Sequence, residues 1–458
     1  MSQVEQIETD LCVIGAGSGG LSVAAGAAQM GARVVLLEGH KMGGDCLNYG
    51  CVPSKALLHA GRAGMGWKAA HEHVAATIAT IAPHDSVARF EGLGVRVIEE
   101  YGVFVARDVV EAGAVRIRAR RFVIATGSSP LVPAIEGLEN VPYETNETIF
   151  SLREKPEHLL VIGGGPIGME MAEAHRALGC EVTVIEAGKA LGRDDPELAA
   201  MVLAAQRARG ITIEEGAEAA EIRGRAGAIE VEARDGRVFS GTHLLVAVGR
   251  KANTARLNLE AAGIEASHTG IKVDAALRTS NRKVYAIGDV AGGLQFTHVA
   301  GYQAGVILRS ALFGLPAKAK TAHIPWATYT SPELAQVGLT EAQARAEHGA
   351  RLEVVRFDFA GNDRAIATGQ SEGLVKAMVV RGRPVGVSIV GAQAGELINL
   401  WALVLANRLK MSHVAAMVAP YPTMGEINKR VAGAYFSPRL FENARIKRIV
   451  RFVQGFLP

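Results

Sequence analysis

The sequence predicts an α/β chain in which one strand–turn–helix–strand unit occurs twice, followed by a separate α+β domain. Three observations carry this reading. Near the N-terminus a short apolar run passes into a glycine-rich turn and a small-residue helix, the same pattern returns 148 residues later, and alternating apolar strands set in after Pro316. At 458 residues the chain exceeds what one ordinary core accommodates. A hydrophobic fraction of 49% with 21% charged residues excludes a disordered polymer.

Taken in order, residues 7–14 (IETDLCVI) read as a buried strand, 20–30 as a helix rich in small residues, and 33–38 (RVVLLE) as a second strand, together a βαβ unit. Residues 51–82 read as helical, and short strands around GVRVI, VRIRA and FVIATG close the segment near 127. A Pro-marked stretch at 130–156 reads as a crossing linker. Residues 158–186 (HLLVIGGGPIGMEMAEAHRALGCEVTVIE) repeat the βαβ unit. From about 270 come another strand, KVYAIGDV, and a helix near 298–313; strands at 352–359, 374–380 and 385–390 and late helices follow. The expected division is 1–150, 151–270, 271–320 and 321–458, the third piece completing the first domain.

Lys and Arg total 49 against 46 Asp and Glu, a net charge of +3 that gives no reason to expect nucleic acid or an acidic membrane surface as a partner. The four cysteines, Cys12, Cys46, Cys51 and Cys180, are too few for a disulfide-stapled secreted scaffold and favour a reducing compartment. The N-terminus lacks a basic region followed by a long apolar core, and no stretch has the length of a bilayer span. A soluble, cytoplasmic protein is expected.

The first glycine motif is Gly15-x-Gly17-x-x-Gly20, between a strand and a helix. Gly15 permits the tight turn, Gly17 lets a pyrophosphate approach the backbone, and Gly20 allows close helix–strand packing. The helix N-terminus offers N–H groups and partial positive charge to phosphates. Glu38, 23 residues past Gly15, ends the second strand where a carboxylate accepts from ribose hydroxyls. The bland alternative, a ligand-free turn, is weakened because strand, helix and acid all occur in place. Gly163-x-Gly165-x-x-Gly168 with Glu186 repeats the spacing, so two dinucleotide sites are implied. Glu186 would bond a 2′-hydroxyl and repel a 2′-phosphate, so NAD is favoured over NADP.

The third motif, Gly43-Gly44-Asp45-Cys46-Leu47-Asn48-Tyr49-Gly50-Cys51-Val52-Pro53-Ser54-Lys55, holds two cysteines separated by four residues. Such a pair can close a small disulfide. Pro53 suggests a helix starting near Cys51, where the helix dipole lowers a thiol pKa, and Lys55 lies one turn further along. A structural disulfide and half a zinc site are the alternatives; the expected compartment opposes the first, and the lack of a second pair the second. No metal site is expected. Cys12 and Cys180 read as buried apolar residues.

GGDCLNYGCVPSKALL, with GAGSGG before it and VIGGGPIGME after it, resembles the two-cysteine flavoprotein disulfide reductases, the class I pyridine nucleotide-disulfide oxidoreductases. These include dihydrolipoamide dehydrogenase, glutathione reductase and mercuric reductase, and the similarity spans essentially the whole chain. The resemblance implies an α/β fold of two Rossmann-like domains, for FAD and NAD(P)H, with a C-terminal α+β dimerisation domain and a homodimer with shared active sites. It implies FAD near Thr126-Gly127 and a ribityl contact from Asp289 in Tyr285-Ala286-Ile287-Gly288-Asp289, and it puts Gly44, Gly249 and Gly288 among the cofactor-contacting residues. A turn-capping Asp289 is the alternative. It further implies that Cys51 is the thiol nearest the flavin, that Cys46 exchanges with substrate, and that Lys55 pairs with Glu170. Glu170 also suits a first-turn helix acid.

One motif departs from the pattern. Lipoamide and glutathione reductases carry His-Pro-Thr-x-x-Glu, whose His is the base for the exchanging thiol; this chain reads Tyr421-Pro422-Thr423-Met424-Gly425-Glu426. A phenol with pKa near 10 is a poor base at neutral pH. Glu426 then loses an imidazole to orient, and Thr423-x-x-Glu426 matches a helix capping box. Tyr here resembles mercuric reductases and soluble transhydrogenases. The former resemble their family with an added C-terminal Cys pair that this sequence lacks, the latter typically lack the second redox Cys that Cys51 supplies. The expected activity is dihydrolipoamide dehydrogenase-like exchange between NAD and a small or protein-bound dithiol; the alternative passes electrons to a metal ion, quinone or second nucleotide.

Overall fold

The computed structural model describes residues 4–457. They form two compact units: residues up to Ala187 with Glu214–Lys320, and Gly188–Ile213 with the chain from Thr321 onward.

In the first unit, β1 (Glu5–Ile14), α1 (Ser18–Gln29) and β2 (Val34–Leu37) make a parallel βαβ unit, with Leu11 opposite Val34 and Ile14 opposite Leu37. Leu11–Ile14 are fully buried because neighbouring strands flank β1 on both sides and helices cover the sheet, the setting in which strands read as unbroken apolar runs. The helices α2 (Gly44–Asn48), α3 (Cys51–Arg62) and α4 (Trp67–Ile81) follow. The single helical stretch expected over 51–82 is broken after Arg62, where Gly64 takes φ +71°, a left-handed conformation that terminates a helix. β3 (Val115–Ile124) pairs in parallel with β1, setting Ile14 opposite Ile124. The carboxyl ends of β1, β2 and β3 therefore lie at one edge of the sheet, where ligands bind in open α/β folds.

The second copy consists of β4 (His158–Ile162), α5 (Pro166–Ala177) and β5 (Glu181–Glu186), again parallel, with Ile162 opposite Ile185. A three-stranded antiparallel sheet of Ala219–Arg225, Ala228–Ala233 and Val238–Gly241 was not expected from the sequence. The strand Val284–Ala286 returns beside β3, and α6 (Thr297–Ile307) follows it.

The second unit is an antiparallel five-stranded sheet whose central strands, Glu333–Gly338, Arg383–Gly391 and Leu374–Val380, are almost wholly buried. The helix Ala394–Ala406 covers it through Trp401, whose indole N–H donates to Asn428 Oδ1 at 2.8 Å on α7 (Glu426–Phe441). The helix Pro196–Ala208 belongs to this unit. Its cap residue Asp195 meets the buried Lys376 ammonium at 2.8 Å, joined by Glu197 at 2.7 Å and Glu341 at 3.0 Å. Burial works against the Lys376 charge, but the three carboxylates outweigh it and raise its pKa. Next to the cap, buried Asp194 accepts from the Trp326 indole at 2.8 Å; burial nonetheless pushes its pKa up to about 6. The last helix is α8 (Ala444–Gln454). Among the described residues, no helix is long and apolar enough to cross a membrane.

Candidate active site

Both glycine turns are built alike. Gly15 has φ +104° and Gly163 φ +110°, and a Cβ on either would lie 2.5 Å from a carbonyl oxygen of the adjoining strand end, Ala125 or Ala247. A Cβ on Gly20 would lie 1.8 Å from the Gly15 oxygen, and one on Gly168 1.9 Å from that of Gly163, so α1 and α5 sit hard against their own turns. The middle glycines differ. A Cβ on Gly165 would meet nothing within 4 Å, and one on Gly17 only the Gly44 Cα at 4.0 Å. Each helix thus presents its N-terminal N–H groups to open space beside a bare backbone, which fits a diphosphate.

Glu38 and Glu186 lie at the ends of their strands, with a contact that the sequence did not reveal. The Ala16 N–H donates to Glu38 Oε2 at 2.7 Å, and the Gly164 N–H to Glu186 Oε2 at 2.7 Å. The His40 N–H also donates to Glu38 Oε1 at 2.9 Å. A carboxylate offers about four acceptor positions, so such a latch and a ribose contact are compatible.

Cys46 lies in α2 and Cys51 begins α3. A side chain on the intervening Gly50 would crowd Asp45, its Cβ 2.9 Å from Asp45 Oδ2. The two thiols hydrogen-bond to each other, and Cys51 Sγ lies 3.4 Å from the Thr297 hydroxyl at the start of α6. The Lys55 ammonium, one turn along α3, donates to Glu170 Oε2 of α5 at 2.7 Å, and Glu170 is buried. Cys51 has its pKa lowered to about 6, first by the hydrogen bond from Cys46, then by Thr297 and by the charge of Lys55, against burial and Glu170. Cys46 moves the other way, because it holds the shared proton and is partly buried. The pair therefore stabilises one thiolate, at Cys51. Cys12 and Cys180 are fully buried, and burial raises both thiol pKa values.

Asp289 sits in the turn Gly288–Ala291, and its side chain does not cap it. Its Oδ2 accepts from the Ser128 hydroxyl at 2.5 Å, with Arg250 Nε at 3.7 Å. Burial raises the Asp289 pKa, against Ser128 and Arg250. Arg250 also reaches Asp45 Oδ1 at 3.0 Å, which joins the redox-motif helix to this cluster. Thr126 donates to the Asn253 carbonyl at 2.8 Å, Gly127 has φ +67° and Gly249 φ +148°, and the Gly288 N–H donates to Gln303 Oε1 at 2.7 Å. Sequence reading missed Ser128, Arg250, Asn253 and Thr297. The only available signal was the polar run Arg250–Asn253 directly after Gly249 at a strand end.

In the second unit Tyr421 is 69% exposed, and its hydroxyl donates to Asp363 Oδ2 at 2.9 Å. That hydrogen bond and the Asp363 charge push the phenol pKa up, further from any use as a base. The expected capping box at Thr423 and Glu426 is absent. The N-cap of α7 is Gly425 with no side-chain cap; the Thr423 hydroxyl donates to the Pro420 carbonyl, and Glu426 accepts from Arg430 at 3.0 Å. Gly425 takes helical backbone angles (φ −59°, ψ −23°), so Thr423 does not stand at the N-cap position that such a box requires.

Residues 9–304 match the pyridine nucleotide-disulphide oxidoreductase family, and 324–432 match the dimerisation domain of that family. The chain is 36% identical to a mercuric reductase of Lysinibacillus sphaericus, over 91% of this chain and 81% of the relative. It is 33% identical to a dihydrolipoyl dehydrogenase of Bacillus subtilis (strain 168), over 93% and 96%. Among solved structures it is similar to the Cu(II) complex of the HOCl-induced flavoprotein disulfide reductase RclA from Escherichia coli, with TM-score 0.86 and 29% identity over 92% of this chain and 99% of that one. Two open glycine turns and a dithiol whose thiolate is stabilised beside a Lys–Glu pair agree with these likenesses: the chain belongs to the pyridine nucleotide-disulphide oxidoreductases, as a flavoprotein disulfide oxidoreductase with an α/β fold and a C-terminal dimerisation domain.

Proposed function

We propose that this protein is a homodimeric, NADH-preferring, dihydrolipoamide dehydrogenase-like enzyme that moves an electron pair between nicotinamide and a small or protein-bound disulfide. Gly15, Gly17, Gly20, Glu38, Gly44, Thr126, Gly127, Gly288 and Asp289 would hold FAD; Gly163, Gly165, Gly168, Glu186 and Gly249 would hold the nicotinamide nucleotide. Bound FAD supplies two-electron transfer between nicotinamide and a disulfide. The residues of the chain do the rest. Cys51, its thiolate favoured near neutral pH, faces the cofactor, and Lys55, oriented by Glu170, keeps positive charge beside it. With the shared proton passed to Cys51, Cys46 attacks the substrate disulfide and displaces one substrate thiolate, forming a mixed disulfide. Cys51 then attacks Cys46, closing the Cys46–Cys51 disulfide and releasing the second substrate sulfur, so that the substrate leaves with two electrons and two protons, one from the pair and one from solvent. The observation that carries this reading is the depressed Cys51 pKa beside the Lys55–Glu170 pair.

The test is lipoamide-dependent NADH oxidation by the FAD-loaded enzyme, with Cys46→Ser alongside. Robust turnover abolished by Cys46→Ser supports the proposal; turnover unchanged by that substitution refutes dithiol exchange. Glu186 supports a kcat/KM for NADH at least about tenfold above that for NADPH.

A second reading, delivery to a metal ion, quinone or second nucleotide, is favoured by Tyr421, whose raised phenol pKa provides no base for exchange with a dithiol. Under it, NADH reduces flavin and disulfide but lipoamide is not turned over, and Tyr421→His brings lipoamide activity in.

A further inference from the structure

The net charge of +3 is unevenly spread. From Asn443 to Leu457 the chain carries Arg445, Lys447, Arg448 and Arg451 and no carboxylate. This segment is α8 and the turn after it. The helix is properly started, because Asn443 Oδ1 accepts from the N–H groups of Arg445 and Ile446 at 3.0 and 3.3 Å. Yet it buries none of its residues.

At 3.6 residues per turn, Ile446, Ile449, Val450, Phe452 and Val453 share an arc of about 160° that also holds Arg445 in the first turn. Lys447, Arg448 and Arg451 occupy the opposite face, and Phe456 and Leu457 follow in the turn beyond the helix. Ile446 is half-buried; Ile449 is 61% exposed, Phe452 67% and Phe456 75%. The two Phe rings pack on each other, centroids 4.8 Å apart, on this open face. Leu440 and Phe441 at the end of α7 are exposed too.

We propose that α8 is a peripheral membrane-binding helix that lies flat in an anionic lipid surface, with its Ile, Val and Phe side chains among the acyl chains and its Lys and Arg side chains at the headgroups. A wide apolar face backed by cations, with no anion between them, has the charge complementarity that an acidic lipid interface requires. An 11-residue helix is too short to span a bilayer, so it binds in the plane. The family dimerisation match ends at residue 432, before α8 begins.

The test is flotation of the full FAD-loaded protein with extruded vesicles of phosphatidylcholine, alone or with about one-third phosphatidylglycerol. Expected is binding to the anionic vesicles that drops at least tenfold on pure phosphatidylcholine and falls steeply toward about 0.5 M salt. An Ile449→Glu/Val453→Glu variant loses the same binding, while flavin reduction by NADH and the sedimentation coefficient stay unchanged. An Arg448→Gln/Arg451→Gln variant weakens binding without abolishing it. Wild-type protein that does not float with the anionic vesicles overturns the proposal. So does a double-Glu variant that binds them as well as wild type, or one that dissociates into monomers, which would assign the face to a second copy of this chain.

Discussion

Cys51 and Asp194 both carry shifted protons, with opposite consequences. The Cys51 pKa, lowered to about 6, leaves the thiolate populated above that pH in the reduced enzyme. Alkylation by iodoacetamide should therefore rise through pH 6 and level off near 7, and Lys55→Met should move that midpoint upward, read by mass spectrometry of the modified peptide. For Asp194 the folded pKa of about 6 lies above the unfolded carboxylate value. The folded state then holds the proton more tightly, so this group lowers stability as pH rises from about 4 to about 6. Asp194→Asn keeps an acceptor for Trp326 and should stabilise the protein by about 1–3 kcal/mol at pH 7, but not near pH 3, in urea titrations. At this scale the sequence was informative where chemistry and spacing coincide, as in Cys46, Cys51 and Lys55. Thr297 reaches Cys51 across 246 residues of chain, and Arg250 reaches Asp45 across more than two hundred; no local pattern encodes such meetings.

Among the elements, the paired glycine turns separate folding from ligand binding. A Cβ on Gly168 would press into the Gly163 carbonyl, whereas one on Gly165 would meet open space. Gly168→Ala should destabilise the protein by about 1–3 kcal/mol. Gly165→Ala should leave the melting temperature within about 2 °C yet raise the KM for NADH about tenfold, measured by differential scanning fluorimetry and steady-state kinetics. The two βαβ units were readable because buried parallel strands and glycine turns leave strong, repeated patterns. The antiparallel sheet at residues 219–241 was not, because its exposed edges alternate Glu and Arg with small residues and look like loop. The break between α3 and α4 depends on the backbone angle of Gly64, and the start of α7 on the backbone at Gly425, neither of which a residue pattern specifies.

At the scale of the molecule, the second unit carries a buried charge cluster of its own. Lys376 holds Asp195, Glu197 and Glu341 together, and both Lys376 and Asp195 are 2% exposed. Lys376→Met should cost about 3–5 kcal/mol by leaving Asp195 buried and unpaired, and Lys376→Met with Asp195→Leu should recover much of it, by chemical denaturation. The raised Lys376 pKa makes its contribution complete below the ordinary lysine value and lost as pH climbs through the raised one. Burial opposes the Glu341 charge, but Lys376 and Arg345 outweigh it and lower its pKa, so that contribution is complete above the ordinary Glu value and lost as pH falls through the lowered one. The Lys376 and Glu341 contributions are together complete from about pH 5 to pH 10.

Asp195 and Glu197 arrive in that cluster from Gly188–Ile213, a stretch embedded in the sequence of the other unit. The polypeptide is consequently stitched rather than modular: it enters the C-terminal body, leaves at Glu214 and re-enters at Thr321. A cut after Lys320 would not release a self-sufficient nucleotide-binding fragment, since it would strand a helix whose Leu198, Val202 and Leu203 are buried and whose acidic cap has lost its lysine. The excised remainder would in turn bury an ammonium with fewer carboxylates to meet it. Proteolytic dissection or gene fusion at that point should therefore yield two insoluble pieces, and exchange of domains with relatives has to carry Gly188–Ile213 along with the C-terminal half.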